Sequence, residues 1–332
     1  MKKILNEPLA YVDEMLEGLC AAHPEYFRRS GPQGRVISRA TGTVPGKVGI
    51  VSGGGSGHLP VFTGYVGRGL LDACAIGEVF SSPSVDQMVE AIRVANGGAG
   101  VLRLYGNYGG DNMNFDMAGE LVEMQGIETT TARVADDVAS ASLEERSKRR
   151  GVAGLVYAFK MAGAKAESMA GLQAVTATAQ KAADACRSVG VALTPCTVPA
   201  VGKPTFEISD DEMEIGMGIH GEPGVRRGPS RAADLVAEEM LSLLLSDMPL
   251  RSGERISVLV NSLGATPLEE VYIVYRYVVR KLAGLNVKVV SPLIGRYATS
   301  MEMAGMSITF CLLDSELETL LKAPCDCPFL RV

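Results

Sequence analysis

Tryptophan is missing from these 332 residues, aromatic residues make up only 5%, and histidine occurs three times. One of the three, His23, sits in an unremarkable Ala-Ala-His-Pro context, so a multi-histidine metal site is hard to build. No lysine- or arginine-rich block is interleaved with aromatics, and a net charge of -6 argues against a nucleic-acid-binding surface. No window approaches about eighteen uninterrupted apolar residues, and the basic amino terminus lacks an apolar stretch behind it. Neither a membrane span nor a secretory signal is expected, and the location is read as cytoplasmic. The cysteines (20, 74, 186, 196, 311, 325 and 327) are odd in number and widely scattered, which predicts reduced thiols rather than a disulfide framework. Cys325-Asp-Cys327 is spaced too closely for a zinc knuckle and has no second ligand pair nearby. The densest basic run, Arg146-Ser-Lys148-Arg149-Arg150, reads as a solvated loop.

What is present describes an ordinary globular chain, 47% hydrophobic and 21% charged, long enough for two domains. The predicted fold class is α/β: two α/β domains, residues 1–185 and 186–332, with mostly parallel or mixed sheets and active-site loops at their interface. Lys47 to Ser52 reads as a buried strand running into glycines. Ser84 and Gln87 make a capping box for a helix to about Ala95. Gly100 to Tyr105 is a second strand, Met113 to Met124 a helix, and Ile127 to Val134 another strand. The alanine-rich stretch Val152 to Val189 reads as one long or two consecutive helices at the domain junction. Beyond a Gly/Pro-rich segment from Pro195 to Pro229, a new α/β series begins. It holds a helix with Leu235, Val236, Met240, Leu243 and Leu244 on one face, then a strand from Arg255 to Asn261. Thr266-Pro-Leu-Glu269 predicts a capping box with proline at the first helical position, and Val271, Val274, Val278 and Leu282 follow at helical spacing. Strands at Val287–Ser291 and Ser307–Leu313 and a short helix from Asp314 to Lys322 complete the series.

Three segments can carry chemistry. In Gly53-Gly54-Gly55-Ser56-Gly57-His58, a glycine turn after a strand offers backbone N–H groups to an anion or hydroxyl and delivers an imidazole. The dinucleotide fingerprint fails because His58 stands where its third glycine belongs, and no Gly-Lys-Ser/Thr completes a P-loop. In Tyr105-Gly-Asn-Tyr-Gly-Gly-Asp111-Asn-Met-Asn114, the aspartate sits where a helix N-cap is expected, and it also lies on the predicted edge of the His58 loop as a general base. In Gly218-Ile-His220-Gly-Glu-Pro-Gly224, the imidazole is a competent nucleophile toward a carbonyl carbon if its ring is held in one tautomer. The residues alone leave open metal binding and a buried hydrogen-bonded histidine for that position.

At these three segments the chain closely resembles the dihydroxyacetone-binding subunit family of dihydroxyacetone kinases. The family pattern Gly-Gly-Gly-Ser-Gly-His matches residues 53 to 58, Asn-Tyr-x-Gly-Asp-x-x-Asn-Phe matches 107 to 115, and Gly-Ile-His-Gly-Glu-Pro-Gly matches 218 to 224. Cys196-Thr-Val-Pro199, Gly202-Lys-Pro204, Asn261 to Leu268 and Ser300 to Ile308 extend the likeness over nearly the whole chain. The resemblance implies a short ketose bound as a covalent hemiaminal on His220, with His58 and Asp111 as acid/base residues. Asp111 takes the proton from the hydroxyl that receives phosphate, and Gly53, Gly54, Gly55 and Ser56 hold substrate oxygens. It also implies a homodimer and no cofactor in this chain. ATP or ADP with Mg2+ belongs to a helical nucleotide-binding partner, and ATP or a phosphotransferase-system protein is the donor. A non-catalytic ketose sensor or transcriptional co-regulator is the competing function. Two positions depart from the pattern, Leu59 where the family has glutamate and Gly106 where many members have lysine. Losing both long charged side chains predicts a roomier pocket and a ketose larger than dihydroxyacetone.

Overall fold

The computed structural model describes residues 2–332. The first sheet is built from β1 (Phe27–Ser30), β2 (Val36–Arg39), β3 (Gly49–Ser56), β4 (Ala73–Val79), β5 (Val101–Gly106) and β6 (Thr129–Val134). Its order is β1-β2-β4-β3-β5-β6, with β4, β3, β5 and β6 parallel and the two strands at the β1 edge antiparallel. From β3 the chain moves to β4 on one side and then returns to β5 on the other. That reversal opens a crevice at the carboxyl ends of β3 and β5, where open α/β sheets bind ligands.

The second sheet contains β7 (Cys186–Ala192), β8 (Glu212–Ile215), β9 (Arg226–Pro229), β10 (Arg255–Ser262), β11 (Lys288–Val289), β12 (Leu293–Gly295) and β13 (Gly305–Leu313). It is mixed: β10, β13, β7, β8 and β9 run antiparallel in that order, and β11 and β12 add parallel to β10. A small hairpin, β14 (Asp326–Cys327) and β15 (Leu330–Arg331), returns the carboxyl terminus to the first sheet, where Asp326 donates its backbone N–H to the Arg68 carbonyl. Both thiols of Cys325 and Cys327 are buried and turned toward the Leu330 carbonyl.

The helices are α1 (Tyr11–Ala22), α2 (Val85–Ala95), α3 (Gly109–Glu123), α4 (Gly154–Glu167), α5 (Leu172–Asp184), α6 (Ala233–Asp247), α7 (Leu268–Gly284) and α8 (Ser315–Lys322). Helices α2 and α3 cover one face of the first sheet through Met88, Ile92, Phe115 and Val122. Helices α6 and α7 cover the outer face of the second through Met240, Leu244, Val274 and Val278. Between the sheets lies α4, which touches strands of both. A helix buried all round is apolar all round, and α4 hides even Lys160, whose Nζ donates to the Leu320 carbonyl at 2.8 Å. No helix among the described residues is long and apolar enough to cross a membrane.

Several local expectations change. The Ser84–Gln87 capping box is present, with both reciprocal hydrogen bonds. The helical stretch expected to reach Val189 ends at Asp184, and Cys186 begins β7, because pairing with β13 overrides the alanine-rich composition. Helix α7 starts at Leu268 with Pro267 preceding it, and Thr266 is not its cap: its hydroxyl accepts the Gly305 N–H at 2.7 Å. The glycines after Ser52 are not a loop but the end of β3, laddered to β4. There is no room for a side chain at Gly54, where a Cβ would come within 2.3 Å of the Phe62 ring.

Candidate functional site

At the end of β3 the chain turns and delivers His58, which is only 2% exposed. Its Nδ1 lies 2.7 Å from the Thr299 carbonyl oxygen, an obligate acceptor, so Nδ1 carries the hydrogen. Phe80 stacks on the ring at 4.9 Å between centroids. Burial, reinforced by the neighbouring His220, pushes the His58 imidazolium down to about 3. At neutral pH the ring is therefore neutral, with a bare Nε2.

That Nε2 faces Nε2 of His220 at 3.0 Å. His220 comes from the loop between β8 and β9, and Glu222 folds back on it. Its Oε1 lies 2.8 Å from His220 Nδ1, and its Oε2 accepts the His220 backbone N–H at 3.0 Å. The fold-back needs glycine at two places. Gly221 has φ +87°, and a Cβ on Gly218 would sit 2.1 Å from Glu222 Oε2. Burial works to raise the Glu222 carboxyl, but the hydrogen bond and charge of His220, with Arg150 behind, hold it down at about 2.

Asp111 arrives from the end of β5. It is not the N-cap: α3 begins at Gly109 after Tyr108, so Asp111 occupies the first turn with one carboxylate oxygen buried and unpartnered. Burial pushes its carboxyl up to about 6, against a hydrogen bond from Ser82 and the nearby His220. The Tyr108 hydroxyl is likewise buried without a partner, and its ring meets His220 edge-on at 5.0 Å. His58, Asp111, His220, Tyr108, Gly55 and Gly106 line one narrow cleft, about 20 Å3 with the two imidazoles in contact. Unpaired buried polar atoms around two facing imidazoles mark a place where a polar ligand completes the hydrogen bonding.

The structure thus gathers His58, Asp111 and His220. Gly53, Gly54, Gly55 and Ser56 are all laddered to β4, and of the four only Gly55 lines the cleft. Of the two departures from the family pattern, Gly106 lines it and Leu59 does not. Leu59 faces a separate cavity of about 390 Å3 with Tyr11, Met15 and Met301. Glu222, Tyr108, Phe80 and Thr299 were not singled out from the sequence. Glu222 was detectable two residues beyond His220 in a glycine-bounded turn, whereas Phe80 and Thr299 carry no local signal. The basic run also departs from expectation. Arg149 is 1% exposed and pairs with Asp247, and Arg150 pairs with Asp137 at 2.7 Å and reaches Glu222 at 3.8 Å, which leaves only Arg146 and Lys148 in solvent.

Residues 17–329 match the Dak1 domain. The chain belongs to the Dak1 family. A Dak1 relative from Listeria innocua serovar 6a, the PTS-dependent dihydroxyacetone kinase 2 dihydroxyacetone-binding subunit DhaK, is 44% identical over the full length of both chains. The L-erythrulose kinase of Pectobacterium atrosepticum is 43% identical over 100% of this chain and 56% of its own. Among solved structures, the dihydroxyacetone kinase of C. freundii in complex with AMP-PNP and Mg2+ matches with a TM-score of 0.89 at 31% identity, over 98% of this chain and 60% of that one. The dihydroxyacetone kinase operon co-activator Dha-DhaQ matches with a TM-score of 0.88 at 31% identity, over 94% of this chain and 96% of that one.

Proposed function

We propose that this chain is the ketose-binding subunit of a dihydroxyacetone-type kinase. His220 Nε2 adds to the carbonyl carbon of dihydroxyacetone or a related small ketose, a linkage an alcohol such as glycerol cannot form. His58 serves the proton of that addition, and Asp111 takes the proton from the terminal hydroxyl that receives phosphate. The observation that carries this reading is the facing Nε2 pair of His58 and His220 at 3.0 Å, with an unpartnered Asp111 oxygen lining the same cleft.

The nucleotide belongs to another polypeptide or domain. Phosphoryl transfer requires charge neutralisation around the phosphates. Here the helix N-terminus at the cleft carries Asp111 in its first turn, which repels a phosphate instead of cradling it. A helical partner bearing ATP or ADP with Mg2+ fits that requirement, and the PTS-dependent name of the Listeria relative favours a phosphotransferase-system donor. A homodimer, a cytoplasmic location and a division into residues 1–185 and 186–332 complete the reading.

The match to an operon co-activator favours a second reading, a ketose sensor that keeps His220 for binding only. Reconstitution with a nucleotide-bearing kinase subunit separates the two. Phosphorylation of the ketose by the mixture, with none by this chain alone, is expected. Ketose binding with no turnover in any reconstituted mixture would establish the sensor, and phosphorylation by the isolated chain would overturn the division of labour.

A further inference from the structure

The hydrogen count around His220 can be followed atom by atom. His58 Nδ1 spends its hydrogen on the Thr299 carbonyl, so its neutral ring meets His220 with a lone pair on Nε2. Two nitrogens 3.0 Å apart need one hydrogen between them, and His220 Nε2 must supply it. On the other side of the ring, Glu222 Oε1 is a carboxylate oxygen 2.8 Å from Nδ1 and can only accept, so Nδ1 carries a hydrogen as well. With both nitrogens protonated, the His220 ring is a cation in the ligand-free cleft. The groups that face it are His58, Tyr108, Asp111 and Glu222, with Arg150 behind Glu222 and Asp137 behind Arg150.

We propose that Glu222 is the positioning residue for hemiaminal formation: held by Arg150 and the His220 backbone, it fixes the ring of His220 and stabilises the positive charge that the ring carries through the addition. The inference rests on the covalent reading above. The Nε2 proton of His220 passes to Nε2 of His58, and the freed electron pair forms the N–C bond. The carbonyl π pair moves to oxygen, and that oxygen takes the proton from His58. No oxidant or further reactant enters. The product ring bears carbon on Nε2 and still bears hydrogen on Nδ1, so it remains a cation. An N-substituted imidazolium is a good leaving group, and the adduct reverts readily unless an anion lies against the ring. Glu222 is that anion. The fold supplies it through two glycines, since the turn at Gly221 returns the carboxylate to the ring and Gly218 leaves room for it.

Because the chain has only three histidines, ring 15N NMR of the whole protein resolves the claim. In the ligand-free protein, His220 is expected to show hydrogens on both nitrogens and His58 on Nδ1 alone. Titration with dihydroxyacetone labelled with 13C at its carbonyl carbon should move that carbon's signal from the ketone to the tetrahedral region. In Glu222→Gln the His220 Nδ1 signal should change with loss of its carboxylate partner, and the adduct fraction at saturating ketose should fall tenfold or more. Glu222→Asp should restore part of it. Gly218→Ala, which keeps the carboxylate but displaces it, should resemble Glu222→Gln. Unchanged ring signals and adduct fraction in Glu222→Gln would overturn the inference while leaving the covalent reading intact. No tetrahedral signal in the wild-type protein would overturn the covalent reading and this inference with it.

Discussion

His58 and His220, 162 residues apart in sequence, meet Nε2 to Nε2 at 3.0 Å, each fixed from behind through its Nδ1: His58 by the Thr299 carbonyl, His220 by the Glu222 carboxylate. Each ring is therefore set in one orientation from behind, which keeps the two Nε2 atoms aligned on each other.

The pair predicts a split between rate and affinity. Replacing His58 by Ala removes the acceptor for the His220 proton, so adduct formation should slow by about 10²–10⁴-fold, the range for loss of a general base. The final adduct fraction should change far less. Rapid-mixing 13C NMR or stopped-flow competition measures the rate, and an equal loss in rate and equilibrium would show that His58 does no more than hold the ligand. His220→Ala should abolish the adduct altogether.

Asp111 ties turnover to stability. Its carboxyl titrates at about 6 instead of 3.8 because it is buried. Ionisation is thus harder in the folded state: stability is full below pH 3.8, falls as pH rises towards 6, and stays reduced above it. Asp111→Asn escapes this loss and should be more stable than the wild type at pH 7.5 by up to about 3 kcal/mol, but equally stable at acid pH. Urea titrations at the two pH values measure the difference. In the reconstituted kinase the same variant should lower kcat by about 10²–10⁴ with little change in KM, and wild-type kcat should rise as pH passes through about 6.

Gly106 lines the cleft and Leu59 does not, so substrate size should respond to Gly106 and not to Leu59. A Cβ on Gly106 would stand 3.2 Å from the Gly151 carbonyl and 3.3 Å from the Tyr108 ring, so any side chain there narrows the cleft. A bare Gly106 should therefore favour a larger ketose over dihydroxyacetone. The ratio of kcat/KM for erythrulose to that for dihydroxyacetone should fall in Gly106→Lys and stay constant in Leu59→Glu. A shift in the Leu59 variant alone would reverse this assignment.

Arg149 should matter to folding. It pairs with Asp247 on α6 and is almost wholly buried, and Arg187 shares the same carboxylate. Arg149→Met leaves Asp247 half-compensated and should cost about 2–4 kcal/mol in chemical denaturation, whereas Arg146→Met, in solvent, should cost less than about 0.5 kcal/mol.

The sequence by itself determined what local rules govern. Ser84 and Gln87 cap α2 through bonds three residues apart, the valines of α7 recur at helical spacing, and the glycine-bounded segments around His58, Asp111 and His220 supply the residues that line one cleft. Tertiary structure decided the rest. Cys186 to Ala192 became a strand because β13 and β8 flank it, and the glycines after Ser52 became the end of β3 because β4 pairs with them. Arg149 and Arg150 left solvent because Asp247 and Asp137 wait in the interior. Thr299 acquired its part only when distant loops met, whereas Glu222 reaches His220 within a single glycine-bounded turn. Hydrogen-bond periodicity acts over three or four residues and is written along the chain, whereas burial, ion pairing and the charge on an imidazole depend on which remote segments the fold brings within a few ångströms.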